Sequence, residues 1–178
     1  LTLTAEDLGN TGSGGALTGA DSATINISPV NDAPIVTTSV TTINYTENDP
    51  LVVIDSAISI SDVDNTTITG ATIQIHPLSY RNGEDILSFT NQLGITGNWD
   101  SGTGTLTLSG TTSVANYQAA LRQVSYYNTS EQPNNNVRTI VFVVSDGTSS
   151  SGASTRDINV FSVNDAPTTS AVTLTAVT

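Results

Sequence analysis

Acidic and amide side chains occur in short runs at the ends of predicted strands, and such oxygen-bearing side chains can bind a hard metal ion. Carboxylates held together without Lys or Arg repel each other by about 1–4 kcal/mol per pair at 4 Å, depending on the local dielectric. Ca²⁺ removes this repulsion because it binds roughly six to eight oxygens at once. Acidic turns can alternatively serve only to keep a β-rich surface soluble and its edge strands unpaired. The runs are Asn31-Asp32, Glu47-Asn48-Asp49, Asp62-Val63-Asp64-Asn65, Glu84-Asp85, Asp146-Gly147 and Asn164-Asp165.

The composition excludes several classes of function. The 178 residues carry 16 Asp and Glu against four Arg and no Lys, a formal net charge of −12. This balance excludes sequence-independent nucleic-acid binding, which needs cations to displace counterions from phosphates, and it opposes docking on an anionic membrane. The chain has no Cys and one His, His76, so disulfides, thiol catalysis and Cys- or His-rich metal sites are excluded. No stretch approaches the roughly 18 apolar residues of a membrane-spanning helix, so membrane insertion is not expected. The four Arg residues are expected to form surface or strand-end ion pairs.

The sequence VNDAP occurs at residues 30–34 and again at 163–167, a period of 133 residues. The residues before each copy also match: TINI at 24–27 resembles DINV at 157–160, and LTAED at 3–7 resembles FVVSD at 142–146. Such self-similarity predicts a segment of a tandem array. Residues 1–34 are then the last strands and linker of a preceding repeat, 35–167 one complete repeat, and 168–178 the first strand of the next.

The complete repeat is predicted to be an all-β protein with one short helix. Apolar and polar residues alternate with a period of two through eight segments rich in Val, Ile and Thr. In 113–121, Val114, Tyr117 and Leu121 instead have helical spacing after Ser113, a good N-cap residue. Strands at this spacing predict an immunoglobulin-like Greek-key β-sandwich. The predicted strands lie near 36–45, 51–60, 67–76, 85–90, 104–109, 122–127, 137–145 and 155–162.

Tracing these strands alternately up and down assigns the acidic runs to the two ends of the sandwich. Here the upper end is the end that residues 31–34 enter, and the lower end is the end that residues 162–167 leave. The upper end is predicted to hold Asn31, Asp32, Asp62, Asp64 and Asp146. The lower end is predicted to hold Glu47, Asn164 and Asp165, with Glu84 or Asp85 nearby.

Taken together, these turns resemble those of cadherin-like repeats in giant bacterial RTX-type surface adhesins. The VNDAP sequence resembles the Asp/Asn-rich linker that joins such repeats. The other matching segments are Thr46-Glu47-Asn48-Asp49-Pro50 (the glutamate turn), Asp62-Val63-Asp64 (the Asp-x-Asp loop), Ser145-Asp146-Gly147 (the end of the penultimate strand) and DSGTGTL at 100–106 (the mid-domain hairpin).

The resemblance implies an extracellular rod of repeats, in an adhesin or surface fibre, stiffened by Ca²⁺ at the junctions between repeats. Carried over by position, Asn31, Asp32, Asp62, Asp64 and Asp146 would bind calcium at the upper junction. Glu47, Asn164 and Asp165 would do so at the lower one. The implied partners are neighbouring repeats, with a cell-surface or glycan ligand for the full-length protein. The family's mid-domain Asp-Arg-Glu-like turn is absent here, which leaves the number of ions per junction open.

Three other functions are alternatives to this rod. An enzyme is not expected, because no acid pair lies in a recognisable pocket and His76 has no evident nucleophile partner. A self-assembling filament would use the incomplete repeats at 1–34 and 168–178 to exchange strands between chains. A carbohydrate-binding module would need exposed aromatic side chains for stacking. The candidates are Trp99, Tyr80, Tyr117, Tyr126 and Tyr127.

Overall fold

The computed structural model describes residues 1–6, 8, 13–14 and 18–167. The strand predicted at 168–178 lies outside the described residues. The chain divides into two compact units, Leu1–Val30 (unit 1) and Asn31–Thr178 (unit 2). Each unit is described by itself below.

Unit 1 is an antiparallel pair of strands, β1 (Thr2–Glu6) and β2 (Thr18–Ser22). All ten residues of the two strands are exposed. Leu1 and Leu3 are 87% and 73% exposed, and Ile25 and Ile27 after β2 are 70% and 88% exposed. The described part of unit 1 therefore buries none of its large apolar side chains.

Unit 2 contains eleven strands and one helix among its described residues. They are β3 (Ile35–Thr37), β4 (Ile43–Thr46), β5 (Val52–Val53), β6 (Ser59–Ser61), β7 (Thr67–Ile75), β8 (Asp85–Ser88), β9 (Thr96–Asp100), β10 (Thr105–Ser113), α1 (Val114–Leu121), β11 (Ser125–Asn128), β12 (Arg138–Ser145) and β13 (Ser154–Phe161).

The strands of unit 2 form an all-β sandwich, as predicted. One layer is a six-stranded sheet in the order β4-β13-β12-β7-β10-β9, and the other strands form the sheets β5-β11-β8 and β3-β6. The pair β13–β4 is parallel and the others are antiparallel. Buried and partly exposed residues alternate along β12 because successive side chains of a strand point to opposite faces. The buried set forms one hydrophobic core between the layers.

The register of unit 1 reproduces a register of unit 2. The repeat alignment places residues 3–7 on 142–146 and residues 24–27 on 157–160. Under these offsets the pair Thr2–Ser22 falls on Val141–Thr155, and both pairs are formed. Register fixes which face each side chain takes. Side chains at corresponding positions of β1–β2 and β12–β13 therefore alternate between the two faces of their own hairpin in the same way.

Two predicted strands are each interrupted. The strand expected at 36–45 is split into β3 and β4, which belong to different sheets. Between them, Thr38 Oγ1 donates to the Thr155 carbonyl at 2.7 Å and the Ser39 N–H donates to Asp55 at 2.7 Å. These bonds satisfy the backbone where the chain crosses from one sheet to the other. The strand expected at 51–60 is split in the same way into β5 and β6.

The strand β9 lies between the predicted strands at 85–90 and 104–109, where the sequence pattern predicts no strand. Its residues pair with β10 from Thr96–Ser109 to Asp100–Thr105. A Cβ added at Gly97 would lie 2.8 Å from the ring of Phe89. Glycine here permits close packing within a strand rather than a turn.

The predicted helix is confirmed. The α1 N-cap Ser113 accepts a hydrogen bond from the Asn116 N–H at 3.2 Å, and Tyr117, Ala120 and Leu121 are buried. Among the described residues, no helix is long and apolar enough to cross a membrane.

Arg138 and Asp85 form an ion pair between two strand ends, and this pair is buried in the core. Arg138 and Asp85 have fully buried side chains, with Arg138 Nε 2.8 Å from Asp85 Oδ2. Asp85 Oδ2 also accepts from the Arg81 N–H at 2.7 Å. Asp85 Oδ1 accepts from the Tyr126 hydroxyl and from the Asn128 amide, both at 2.7 Å. The pair thus joins the starts of β8 and β12 to β11.

Replacing Asp85 with Asn should destabilise the fold by about 3–5 kcal/mol, since Arg138 would remain buried without a counter-ion. Urea unfolding followed by Trp99 fluorescence measures the loss. Glu131→Gln changes the same charge at an exposed position and should leave the unfolding midpoint nearly unchanged. Equal midpoints for Asp85→Asn and Glu131→Gln would show that the buried pair adds no stability.

Candidate metal site at the two ends of the sandwich

The upper end brings together the five residues predicted to lie there. Asn31 and Asp32 precede β3, Asp62 and Asp64 lie in the turn from β6 to β7, and Asp146 follows β12. Asn31 Nδ2 donates to Asp146 Oδ2 at 2.9 Å, and the Asp32 N–H donates to Asp64 Oδ2 at 2.9 Å. We call these five residues, together with Asn65, the upper cluster.

Asn65 belongs to this cluster although it was not among the predicted ligands. Its Nδ2 donates to Asn31 Oδ1 at 2.6 Å, to Asp64 Oδ1 at 3.3 Å and to Asp146 Oδ2 at 3.4 Å. Asn31 Nδ2 likewise donates to the Ser149 hydroxyl at 3.1 Å. The sequence feature that could have predicted Asn65 is its position directly after Asp62-Val63-Asp64, where its amide can donate to the acids.

The carboxylates of the upper cluster have amide and backbone donors rather than cationic partners. Asp62 Oδ1 accepts from the N–H groups of Asp64 and Asn65 at 3.2 and 2.9 Å. Asp62 Oδ2 is buried and has no hydrogen-bond partner among the described residues. Within the described chain, the two ion pairs are Arg138–Asp85 and Arg156–Asp55, and neither includes an acid of this cluster. The cluster is therefore a concentration of negative charge.

Asp146 has the strongest set of donors in the cluster. Hydrogen bonds from the Ser149 N–H, the Asn31 amide and the Thr148 N–H lower the pKa of Asp146 below its ordinary value. They do so because each donor stabilises the ionised carboxylate. Asp146 is thus an anion through the physiological pH range.

At the lower end, Glu47 is a buried carboxylate in contact with the second linker. It is only 3% exposed, and its N–H donates to the Phe161 carbonyl at 2.9 Å. Its Oε1 accepts from the Val163 N–H, whereas its Oε2 is buried without a hydrogen-bond partner in the part of the chain that the structure describes. An unpartnered buried carboxylate oxygen is costly, and a cation would satisfy it.

The other predicted residues of the lower end are arranged less closely. Asn164 and Asp165 are exposed and line a depression of about 510 Å³ with Gln132 and Pro133. Asp85 is not a free acid of this end, since Arg138 neutralises it inside the core.

Neither end is by itself a complete metal site in the described part of the chain. No group of three or more His, Asp or Glu side chains converges there in an arrangement that could hold a metal ion. Each end instead provides carboxylate and amide side chains, among them Asp62, Asn65 and Asp146 at the upper end and Glu47 at the lower end. Calcium binding by the eight predicted ligands stays a prediction.

The aromatic side chains considered for sugar stacking are largely engaged in packing. Tyr117 and Tyr126 are fully buried. Tyr80 and Trp99 lie against the core and contact each other edge to face, with ring centroids 6.3 Å apart. Tyr127 is also packed against the core. These residues therefore do not form the exposed aromatic platform that the sugar-binding alternative needs.

Removing the Asn31 amide should raise the pKa of Asp146 towards its ordinary value, because the carboxylate loses one of its three main donors. In Asn31→Ala, the ¹³C NMR titration of the Asp146 carboxyl should therefore have its midpoint at higher pH than in the parent. Asn98→Ala removes an exposed amide from β9 and should leave it unchanged. An unshifted midpoint in Asn31→Ala would contradict the hydrogen-bonded arrangement.

Comparison with known proteins finds one kind of similarity. Over 102 residues, 54% of the chain, it is 34% identical to halomucin of Haloquadratum walsbyi. The matched segment covers 1% of halomucin, so the chain corresponds to a small part of a far longer protein. No model of a known protein family matches the chain, and no solved structure matches it. The similarity is that of a segment within a very long protein, and it does not identify the segment as cadherin-like.

Proposed function

We propose that this chain is part of an extracellular tandem-repeat rod whose repeats are joined by calcium-binding junctions and whose role is mechanical or adhesive. The observation that carries the proposal is the different binding of the two linker copies in unit 2. Asn31 and Asp32 bind the upper cluster through Asp146 and Asp64. In the second copy, Val163 binds the lower end through Glu47.

Because the two copies have the same sequence, the contacts of both apply to one linker between consecutive copies of unit 2. Its Val N–H would bind the Glu47 carboxylate of the repeat before it. Its Asn side chain and Asp N–H would bind the upper cluster of the repeat after it. Because Asn164 and Asp165 repeat Asn31 and Asp32, the eight predicted ligands correspond to six positions at one junction. Two of these positions lie in the linker, and the other four are Glu47, Asp62, Asp64 and Asp146.

The charge of this composite junction favours a divalent cation. It combines the buried, unpartnered oxygens Glu47 Oε2 and Asp62 Oδ2 with the carboxylates of Asp32, Asp64 and Asp146. Repulsion among them would open the junction unless a cation lay between them. The atoms that would bind the metal are all carboxylate or amide oxygens. Such ligands suit Ca²⁺ better than softer metals.

Amide groups supply hydrogen bonds to the carboxylates of the upper cluster. Asn31 and Asn65 direct Nδ2 at carboxylate oxygens. Rotation of an amide by about 180° about χ2 exchanges its Nδ2 and Oδ1 atoms. The same side chains would then present carbonyl oxygens to calcium, so that occupancy needs little backbone movement.

Three further observations support an extracellular array. The register of β1–β2 reproduces that of β12–β13, as expected for a second copy of one hairpin. The similarity to halomucin places a related segment in a very long protein that is named as a mucin. A calcium-dependent junction also needs the high calcium concentration found outside cells, where weak extracellular sites are occupied. Neighbouring repeats of the same chain are the expected partners.

Calcium should stabilise a protein that contains one complete junction, made by joining residues 1–163 to residues 31–178 at the shared linker. Binding at about 100 times the dissociation constant adds about 2.7 kcal/mol per site, which corresponds to a rise in Tm of very roughly 5–10 °C. Thermal unfolding in EDTA and in about 2 mM Ca²⁺ measures this shift.

A variant that carries Asp62→Asn and Asp64→Asn in both copies of unit 2 should lose the calcium-dependent rise in Tm. Asp100→Asn with Asp157→Asn removes the same charge from residues that bond only Gly102, Thr103 and Thr139, and the rise should persist. No rise in the parent, or an equal rise in both double variants, would refute the calcium junction.

A second candidate, a filament with strands exchanged between chains, is favoured by the exposure of unit 1. Among the described residues, β1 and β2 pair only with each other, and Leu1, Leu3, Ile25 and Ile27 are exposed. An exposed strand edge is a template for pairing with another chain. In a filament, a second copy of this chain would complete the hairpin.

Light scattering after size exclusion should then show chains that associate with rising concentration. Leu3→Asp should reduce association, because it introduces a charge on the apolar face of β1. Leu78→Asp, at a position 89% exposed in unit 2, should not. A monomer at every concentration would leave the single-chain array as the function.

A further inference from the structure

We propose that a buried network centred on Asp85 and Arg138 fixes the direction in which the linker leaves the lower end, and that it does so without a metal ion. The acceptors that hold the linker are the side chains of Asn135 and Glu47, which we call the linker clamp. This inference rests on the proposed function for its biological meaning. Its contacts, however, are internal to unit 2.

The clamp binds two successive backbone N–H groups after β13. Asn135 Oδ1 accepts from the Ser162 N–H at 2.9 Å, and Glu47 Oε1 accepts from the Val163 N–H. Ser162 and Val163 are exposed and have no regular secondary structure. An exposed segment of this kind would otherwise have its N–H groups free to bond water. Two side-chain acceptors therefore define its path.

Arg138 holds the loop that carries the first acceptor. Its Nη1 donates to Asn134 Oδ1 at 2.8 Å, to the Asn136 carbonyl at 2.7 Å and to the Asn134 carbonyl at 3.4 Å. The guanidinium thus bonds the residues on both sides of Asn135. Because Asp85 fixes this guanidinium through Nε, the position of Asn135 is set from inside the core.

The same aspartate is linked to the second acceptor. Asp85 Oδ1 accepts from Asn128 Nδ2 at 2.7 Å, and the Asn128 carbonyl accepts from the Tyr45 hydroxyl at 3.1 Å. This hydroxyl also lies 3.2 Å from the Asp49 carbonyl, so that Tyr45 braces the turn that contains Glu47. Both acceptors are therefore connected to Asp85 through buried or partly buried hydrogen bonds.

The consequence is an asymmetric junction. On the lower side, the Asn135 amide and one oxygen of the Glu47 carboxylate hold the linker, and both groups are linked to the internally paired Asp85. On the upper side, Asn31 and Asp32 bind a cluster of mutually repelling carboxylates. Loss of calcium should therefore weaken the linker's attachment to the repeat that follows it more than its attachment to the repeat that precedes it.

Hydrogen exchange of the Ser162 and Val163 amides in the 178-residue chain, measured by NMR in EDTA, tests the clamp. In the parent both amides should exchange slowly despite the exposure of their residues. Asn135→Ala should speed exchange at Ser162 by about tenfold, a factor typical of one lost hydrogen bond. Asn135→Asp keeps an acceptor oxygen and should restore the protection.

Asn136→Ala is the matched control, since it changes an exposed neighbouring amide and retains the carbonyl that Arg138 binds. Its Ser162 exchange should equal that of the parent. Unprotected amides in the parent, or equal Ser162 exchange in Asn135→Ala and the parent, would overturn the proposal. Because this measurement contains no calcium, failure of the calcium-dependent melting shift would leave its outcome unaffected, and the two failures are distinguishable.

Discussion

The Asp85–Arg138 ion pair is the constraint on which the lower half of the sandwich depends. Two charges removed from water are tolerated only when their attraction and their hydrogen bonds offset the desolvation. Here the carboxylate accepts four hydrogen bonds and the guanidinium also binds the 134–136 loop. Because these partners come from β8, β11, β12 and two loops, the pair can form in only one arrangement of those elements. A hydrophobic pair could pack there, but it could not orient the loop.

The two ends of the sandwich treat negative charge differently. Inside the lower end, an acid is neutralised by a buried arginine, so that end has a defined geometry of its own. At the upper end, amides and backbone N–H groups stabilise acids that have no cation among the described residues. These donors stabilise the ionised carboxylates but leave them without a counter-charge. Under the proposed function, a divalent ion would supply that charge, and the stiffness of the rod would depend on its surroundings.

The linker and the hairpin each occur twice in the chain. In the proposed junction, one linker sequence would serve two environments: its first residue would bond the domain behind it, and its next residues would bond the domain ahead. In the described region, neither end alone brings three acidic or imidazole groups together. Unit 1 is likewise incomplete by itself, since its hairpin has the register of β12–β13 and none of the sheets that cover that pair in unit 2.

Three features of the fold follow from the sequence alone. Alternation of apolar and polar residues predicted the all-β class, and helical spacing after Ser113 predicted the helix at 114–121. Tracing the strands up and down predicted the end at which each acid lies. These patterns could do so because strand period, capping and alternating strand direction are local rules. The division of two predicted strands, the strand β9 and the burial of Arg138 were decided only by tertiary structure. Gly97 signals a turn locally but contacts Phe89 across the fold. Arg138 carries a charge that would prefer water, and it is buried because Asp85, 53 residues away in sequence, lies beside it. The roles of Asn65 in the upper cluster and Asn135 in the linker clamp could not be predicted for the same reason. An amide acquires its role from the donors and acceptors that folding places around it.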